Sequence, residues 1–274
     1  TPQDEQATDL SEFVAAVRAA NEQLGIPAQP RPWLPPLPAT VLLDDLKPGR
    51  PGPSGLTPAP YALEDLPGQQ RQRAAVLDLE HTGHLLIAGA PKSGRSQLLR
   101  TLAGSLAETN SPRDVQLYAL DCGNGALLAL KDVPHCGAVV RSSEPERAAR
   151  LLTKLLTELR RRSDLLGARG HANLAEQRAV ATGPDRLPYL VLLLDRWEGF
   201  RIALGELDNG AMTDQIDQLM REGAAAGIHL VVTGDRSALT ARISTLADTK
   251  IALRMTDRTD YGLIAVNPRR IPDT

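Results

Sequence analysis

The sequence has few aromatic residues, only two cysteines and no long apolar run, and each shortage excludes a class of protein. Aromatic residues make up 3% of the 274 positions, too few for the stacking platforms that many single-strand nucleic-acid binders use. Cys122 and Cys136 lack zinc-type spacing and are too few for a disulfide framework, so we expect a reducing cytosol. No apolar run approaches the ~20 residues that span a bilayer, and the polar, acidic start predicts no signal peptide.

Net charge is also small. The chain has 31 basic and 33 acidic residues, a formal charge of −2, which gives no general attraction for nucleic acid or an anionic membrane. Hydrophobic residues make up 42% of the sequence, which is enough for a sizeable core. If the protein works at a membrane, we expect its anchor to lie outside this sequence.

Residues 1–60 are predicted to form a helix followed by a proline-rich linker. The apolar residues of the helix have helical spacing: Leu10, Phe13, Val14, Val17 and Leu24. The stretch 27–60 is rich in proline, which blocks helix interiors, so we expect it to be extended. We predict a linker strapped along the surface of a domain at 61–274 and anchored by Trp33 and Leu34. The alternative is a polyproline ligand for an SH3-like domain.

From Tyr61 onward, apolar strands alternate with amphipathic helices. The predicted strands are 84–88, 115–120, a short strand ending at 139–140, 189–194, 228–233 and 250–255. The predicted helices are 96–108, 144–166 and 213–224. Strands that are buried on both faces and separated by helices indicate a mainly parallel sheet in a three-layer αβα sandwich of the α/β class. The polar stretch 167–188 is predicted to be an exposed excursion.

A phosphate-binding loop joins the first of these strands to its helix. The residues Gly89-Ala90-Pro91-Lys92-Ser93-Gly94-Arg95-Ser96 match the pattern G-x-x-x-x-G-K-[ST] at every fixed position except Arg95. Glycines let several backbone N–H groups point at one anion, and the helix N-terminus adds its dipole. We therefore predict a P-loop NTPase of the RecA-like or AAA+ type. Its nucleotide site would comprise Gly89 to Ser96 together with Gln97, with the Ser96 hydroxyl on Mg²⁺.

Arg95 leaves two interpretations open. Lysine delivers a compact ammonium to the phosphates, whereas the guanidinium of arginine is wide and planar. In the first interpretation the loop still binds ATP or ADP, with Lys92 partly replacing the missing lysine. In the second the loop is a relic, and Arg95 pairs with a nearby carboxylate such as Asp195.

The strand 189–194 ends at Asp195, as expected for a Walker B aspartate that contributes to the Mg²⁺ shell. The alternative is an aspartate that caps the next turn. Active enzymes of this fold usually carry an acidic residue directly afterwards, but here the residue is Arg196, which cannot act as a base. Glu198 is nearby, and in an extended segment it would lie on the wrong side of Trp197. Arg95 and Arg196 therefore both predict weak hydrolysis.

Three further segments resemble FtsK/SpoIIIE ATPases. The stretch from Gly223 to Thr233, GAAAGIHLVVT, looks like the "RAAGIHLV.AT" segment of that family, in which Thr233 would sense the γ-phosphate. The stretch KIALRMTDRTD at 250–260 resembles the closing strand, and PHCGAVV at 134–140 resembles the segment before the long helix. Together with the phosphate loop, the resemblance covers roughly residues 60 to 265.

Within that family, the chain is similar to the later ATPase modules of EccC, a component of type VII secretion. Trp33-Leu34-Pro35-Pro36-Leu37 resembles the linker between those modules, and Asp195-Arg196-Trp197 resembles a "DGW" found there. The resemblance implies ATP and Mg²⁺ as cofactors, neighbouring FtsK-like modules and secreted proteins as partners, and a regulatory or substrate-docking role. It also implies a place at the cytoplasmic face of the cell membrane, within a longer membrane-anchored protein.

Two other functions remain open. A DNA translocase would need basic loops and a second catalytic carboxylate, neither of which is evident here. A nucleotide-free interaction module would use its pocket for a peptide or a neighbouring module. We expect His229 to be a core or edge residue. We expect Arg160, Arg161 and Arg162 to form a solvated helix end.

Overall fold

The computed structural model describes residues 8–27, 33–268 and 271. Its helices are α1 (Asp9–Gln23), α2 (Arg95–Thr109), α3 (Pro145–Arg169), α4 (Leu174–Val180), α5 (Trp197–Ala203), α6 (Ala211–Glu222), α7 (Arg236–Thr240) and α8 (Arg242–Leu246). Its strands are β1 (Ala59–Leu66), β2 (Arg71–Leu77), β3 (Leu85–Ala88), β4 (Val115–Asp121), β5 (Cys136–Arg141), β6 (Tyr189–Asp195), β7 (Ile228–Gly234) and β8 (Thr249–Ala252).

The chain divides into two compact units. One comprises the described parts of residues 1–37 together with 65–72, and the other comprises residues 38–64 and 73 onward. In the first unit α1 lies one residue before the helix predicted at 10–24. It begins with a capping box at Thr8, and none of its residues is buried. Trp33 is 69% exposed. The linker residues 28–32 lie outside the described residues, and the strap and the boundary at residue 60 remain predictions.

A six-stranded parallel sheet organises the second unit. The strand order is β5-β4-β6-β7-β3-β8, and every pairing given for these strands is parallel. All seven residues of β6 are buried, which fits the apolar sequence of a central strand covered on both faces. The predicted αβα sandwich is therefore confirmed.

The core lies on both faces of the sheet because successive strand residues point in opposite directions. Leu192 and Leu194 pack on the face that is covered by α3 and α6. Val191 and Leu193 pack on the opposite face, against α2. No helix in the described residues is long and apolar enough to cross a membrane.

The exposed excursion predicted at 167–188 is wrong in its central part. Residues Leu174–Val180 form α4, and Leu174, Gln177 and Arg178 are buried. Arg178 pairs with Asp114 and donates to the Leu187 carbonyl, so its charge is satisfied inside the protein. The sequence hides this packing because two of the three buried residues in the helix, Gln177 and Arg178, are polar.

The solvated helix end predicted at Arg160, Arg161 and Arg162 is also partly wrong. Arg162 is 1% exposed, and it donates to Glu158 and to the Ala226 carbonyl at 3.0 Å. Its long apolar stem can be buried because the guanidinium keeps these partners. Arg160 and Arg161 are exposed, as predicted.

Candidate nucleotide-binding site

The strand order brings the phosphate loop and the strand that ends in Asp195 to the same edge of the sheet. β7 lies between β3 and β6, so that β3 delivers the loop, β6 delivers Asp195 and β7 delivers Thr233. In parallel strands the carboxyl ends meet at one edge, which is where open α/β sheets bind ligands. The side chains predicted for the site are therefore brought together by topology.

The segment after β3 curls as a phosphate loop should. Lys92 and Gly94 have φ angles of +62° and +97°, and Gly94 precedes the first residue of α2. The Gly89 amide donates to the Gly234 carbonyl at 3.0 Å, which ties the loop to the end of β7. A Cβ at Gly89 would lie 2.3 Å from Ser93 Oγ and 3.0 Å from Leu253 Cβ, so a side chain there would have to displace Ser93 and Leu253.

Asp195 is held by two hydroxyl groups. Ser96 Oγ donates to its carboxylate, with distances of 2.9 and 2.8 Å to the two oxygens, and Thr233 Oγ1 donates at 2.7 Å. The carboxylate is fully buried, and burial raises the pKa of Asp195 above its ordinary value, while these two hydrogen bonds oppose the shift. This arrangement supports the expected Walker B position at Asp195 rather than a turn cap. The roles of Ser96, Asp195 and Thr233 toward Mg²⁺ and phosphate remain predictions.

Arg95 pairs with Glu198 and not with Asp195. Its Nη2 atom lies 2.9 Å from Glu198 Oε1, and the Arg95 side chain is 7% exposed. The expectation that Glu198 would lie on the wrong side of Trp197 is wrong, because the chain is not extended there. Arg196 has a φ of +67°, and α5 begins directly after it, which turns Glu198 back toward the loop.

The sequence signal for this turn is weak. Left-handed backbone is uncommon for a residue other than glycine, asparagine or aspartate. In the structure the amide of Arg196 donates to Thr233 Oγ1 at 2.8 Å, which stabilises the turn through a residue on another strand. The position of Glu198 is therefore a product of tertiary contacts.

Asp121 is a site residue that the sequence interpretation missed. It ends β4 in register with Asp195 and is 1% exposed. Its carboxylate accepts hydrogen bonds from the amides of Gly123, Gly125 and Leu127 at 3.1, 3.2 and 2.9 Å. An aspartate at the end of a second strand at the same sheet edge was the available signal. Asp121 shapes the loop that carries Asn124 to the edge of the site.

Two cavities flank the phosphate loop. One of about 420 Å³ is lined by Lys92, Arg95, Ser96, Gln97 and other loop residues, with Asn124 and Arg196 from neighbouring segments. The other, of about 530 Å³, lies on the far side of Gly89, Ala90 and Pro91 and is lined by acidic and polar residues together with Arg236 and Met255. The first cavity has the charge that phosphates require, and the second has room for a nucleoside.

Two buried donors in the loop have no partner among the described residues. They are Ser93 Oγ and Arg95 Nη1. Buried polar groups are normally hydrogen-bonded, and Arg95 lines the cationic cavity, so its unpaired donor fits an anionic ligand. Of the predicted nucleotide-binding residues, six line the first cavity, namely Pro91, Lys92, Gly94, Arg95, Ser96 and Gln97. Gly89 and Ala90 line the second, and their role in binding a nucleotide remains a prediction.

Comparison with known proteins gives consistent results. The sequence model of the FtsK/SpoIIIE family matches residues 59–271. The EccC protein of the ESX secretion system of Thermomonospora curvata is 34% identical over 244 residues, which are 82% of this chain and 18% of EccC. The ESX-1 protein EccCb1 of Mycobacterium tuberculosis is 32% identical over 250 residues, 88% of this chain and 41% of that protein.

A solved structure of ATPases 2 and 3 of Thermomonospora curvata EccC, in complex with a signal sequence peptide, superposes with a TM-score of 0.71. It is 31% identical, and the match covers 86% of this chain and 46% of that chain. The chain therefore spans less than half the length of each of these relatives.

Proposed function

Because this chain belongs to the FtsK/SpoIIIE family, we propose that it is an ATP-binding module of a type VII secretion motor and that it hydrolyses ATP weakly or not at all. The observation that carries this proposal is the meeting of the phosphate loop, Asp195 and Thr233 at one sheet edge, with Arg196 where a catalytic carboxylate would follow Asp195. Different residues govern nucleotide binding and turnover.

ATP binding is supported by the geometry of the loop. The cationic cavity would receive the phosphates, and the unpartnered Nη1 atom of Arg95, which lines the cavity, would find an acceptor there. The cavity on the other side of Gly89 to Pro91 would receive the nucleoside. Lys92 lines the phosphate cavity, as it must if it partly replaces the missing lysine.

The residues present also fit Mg²⁺. The Ser96 hydroxyl and the Asp195 carboxylate are in direct contact, and both are oxygen ligands of the kind that this hard cation prefers. Bound Mg²⁺ would neutralise phosphate charge, as it does in P-loop enzymes. Thr233 would hold the orientation of Asp195 through its 2.7 Å hydrogen bond.

Weak turnover follows from the residues around the expected position of the attacking water. The residue after Asp195 is Arg196, a cation without a lone pair to accept a proton. Glu198 reaches the site, but Arg95 binds it at 2.9 Å, and it also accepts from the Asp235 amide at 3.3 Å. A carboxylate held in this way is a poor general base, because its oxygens already accept hydrogen bonds from these donors and are not free to bind a water.

The proposed role is regulatory or concerned with substrate docking. A relative of this chain has been solved as tandem ATPase modules with a signal sequence peptide, so we expect neighbouring modules of the same fold and secreted proteins as partners. The weak hydrolytic site then implies that a more active module drives transport. Membrane attachment would come from segments outside this chain, which places the module at the cytoplasmic face.

The second candidate is a nucleotide-free interaction module. It is favoured by the Arg95–Glu198 ion pair, in which Glu198 engages the arginine that stands where a phosphate-binding lysine is expected. A DNA translocase is the third reading, and the chain's formal charge of −2 argues against it.

Isothermal titration with ATP and Mg²⁺ separates the first two candidates. Binding with a phosphate release of less than about one per minute supports the proposed module. If millimolar nucleotide produces no heat, the nucleotide-free module is supported instead. Rapid turnover would show that Arg196 after Asp195 does not prevent hydrolysis. Tight, salt-sensitive binding of duplex DNA by this chain would instead support the translocase.

A further inference from the structure

The side chain of Arg196 lies at the phosphate cavity, although it comes from the strand that carries Asp195. It lines the same cavity as Lys92, Arg95 and Ser96, and it is 36% exposed there. Its backbone is fixed in the left-handed region by the hydrogen bond from its amide to Thr233 Oγ1. The direction of this side chain is therefore set by the β6–β7 pair.

Space for the stem of Arg196 is provided by Gly123. A Cβ on Gly123 would lie 2.8 Å from Arg196 Cδ and 3.0 Å from Asp195 Oδ2. The Gly123 loop is itself held by the three amides that bind Asp121. The stem is thus packed against a fixed loop, which lowers the entropy that the side chain would lose on binding a ligand.

The charge of the cavity differs from that of a site built around two carboxylates. The cavity lining contains the cations Lys92, Arg95 and Arg196 and no carboxylate. Asp195 lies behind Ser96 and accepts from two hydroxyls, while Glu198 is shared by Arg95 at 2.9 Å and Arg196 at 3.4 Å. A cation in place of an acid at position 196 changes the local charge by two, and this change attracts phosphate oxygens.

The unpartnered Nη1 of Arg95 is an independent sign of an anionic ligand. Arg95 is more than nine-tenths buried, yet this nitrogen has no hydrogen-bond partner among the described residues. A guanidinium presents donors in a fork that suits phosphate oxygens. Two such groups on opposite elements, Arg95 on α2 and Arg196 after β6, face one cavity.

We propose that Arg196 is a phosphate-binding residue and that the cations of this cavity hold a polyphosphate chain without a divalent metal. This inference rests on the proposed nucleotide site and deepens it. Mg²⁺ at Ser96 and Asp195 then adds to an affinity that Arg196, Arg95 and Lys92 already supply. The ligand class is a linear di- or triphosphate, free or attached to a nucleoside.

The test measures the affinity of the intact chain for inorganic tripolyphosphate in EDTA, by isothermal titration. The unmodified chain should bind, Arg196→Ala should bind about tenfold more weakly, and Arg196→Lys should recover part of the loss. Arg196→Asp should bind still more weakly in EDTA and should gain the most from added Mg²⁺. Arg113→Ala, which removes an exposed arginine elsewhere, is the matched control and should bind like the unmodified chain.

Circular dichroism establishes whether each variant is folded. If Arg196→Ala does not fold, the comparison of Arg196→Lys with the unmodified chain still tests the inference. Binding that disappears in EDTA, or equal affinities for Arg196→Ala and Arg113→Ala, would overturn the inference. A parallel titration with ATP separates it from the proposed function. If tripolyphosphate binding depends on Arg196 but ATP binds no more tightly than tripolyphosphate, the inference is supported and the nucleotide module is refuted.

Discussion

The guanidinium of Arg95 lies 2.9 Å from the carboxylate of Glu198, although the two residues are 103 positions apart in the sequence. The pair engages one terminal nitrogen of Arg95 and leaves its Nη1 atom without a partner among the described residues. Arg95 stands where a phosphate loop has lysine, and Glu198 is the acidic residue that reaches the loop from the start of α5. The pair links the phosphate loop to α5, which follows the strand that ends in Asp195. Because Arg95 bears on nucleotide binding and Glu198 on turnover, one ion pair affects both.

Replacing Arg95 by lysine should tighten ATP binding and leave turnover low. The ammonium of lysine is compact and does not form the planar fork that holds Glu198, so we expect an affinity several-fold higher, about 1 kcal/mol. Turnover stays low because Arg196 remains beside Asp195. Titration calorimetry and a phosphate-release assay measure the two effects. Rapid hydrolysis by Arg95→Lys would show that Arg196 does not limit the chemistry.

Removing the carboxylate of Glu198 should destabilise the chain. Arg95 is 7% exposed, so Glu198→Ala leaves a buried charge without its partner, which should lower the free energy of unfolding by about 2 kcal/mol. Urea unfolding measures this loss, and Glu206→Ala, which removes an exposed carboxylate, is the control. Added tripolyphosphate should stabilise Glu198→Ala more than the unmodified chain. Equal stability of the two variants would argue against a structural role for the pair.

Burial of the ionised carboxylate of Asp195 should lower the free energy of unfolding at neutral pH. Burial raises its pKa above the unfolded value, so the native state favours the protonated form, and stability is lost as pH rises from the unfolded pKa through the folded one. Asp195→Asn should therefore unfold at the same temperature as the unmodified chain or higher when nucleotide is absent. It should also lose the gain in ATP affinity that Mg²⁺ provides.

Asp121→Asn is the contrasting variant. Asp121 accepts from three backbone amides, and an amide side chain cannot accept all three. We expect this variant to lose about 1–3 kcal/mol of stability. Thermal unfolding of the two variants side by side checks both expectations. A large loss in Asp195→Asn, with none in Asp121→Asn, would reverse the assignment of the two carboxylates.

Acid should destabilise the fold through His84. Burial, together with the nearby His229, lowers the pKa of His84 to about 4, and its Nδ1 atom accepts from the Leu230 amide at 3.0 Å. The unfolded state binds the proton more readily, so this stability is complete above about pH 6.5 and is lost as pH falls from there toward 4. The loss should approach about 3 kcal/mol.

Denaturant unfolding between pH 7 and pH 4 measures the slope. His84→Asn keeps an acceptor for Leu230 and cannot be protonated, so its stability should depend less on pH. Burial also lowers the pKa of His229, and that residue should supply the slope that remains. An unchanged slope in His84→Asn would assign the acid sensitivity to other groups.

A methyl group on Gly89 should distort the phosphate loop. The added Cβ would lie 2.3 Å from Ser93 Oγ and 3.0 Å from Leu253 Cβ, so Gly89→Ala should weaken nucleotide binding about tenfold or more. Gly104→Ala is the matched control, because Gly104 lies on an exposed face of α2 with open space around it. It should raise stability by about 1 kcal/mol and leave binding unchanged. Equal binding by the two variants would show that the loop tolerates a side chain at Gly89.

Much of the fold could be predicted from the sequence because its signals are local. The apolar run 189–194 is too short for a typical helix and indicates a buried strand, and the spacing from Gly89 to Ser96 specifies a curled loop before a helix. The strand β8 is shorter than predicted, ending at Ala252 rather than Met255, and the paired strands β1 and β2 were not predicted. After Ala252 the chain leaves the regular strand, although Leu253 and Arg254 still make backbone hydrogen bonds to Ala88 and Ala90. Mixed polarity conceals β1 and β2.

The sequence by itself determined the parallel sheet, the phosphate loop and the position of Asp195 at a strand end, because each follows from residue spacing within one segment. Only the tertiary structure decided the partners of the charges. The left-handed turn at Arg196, fixed by Thr233 on another strand, brings Glu198 to Arg95 and points Arg196 at the phosphate cavity. Buried ionic pairs join residues that are distant in sequence, and no periodicity in the chain records which cation will meet which carboxylate.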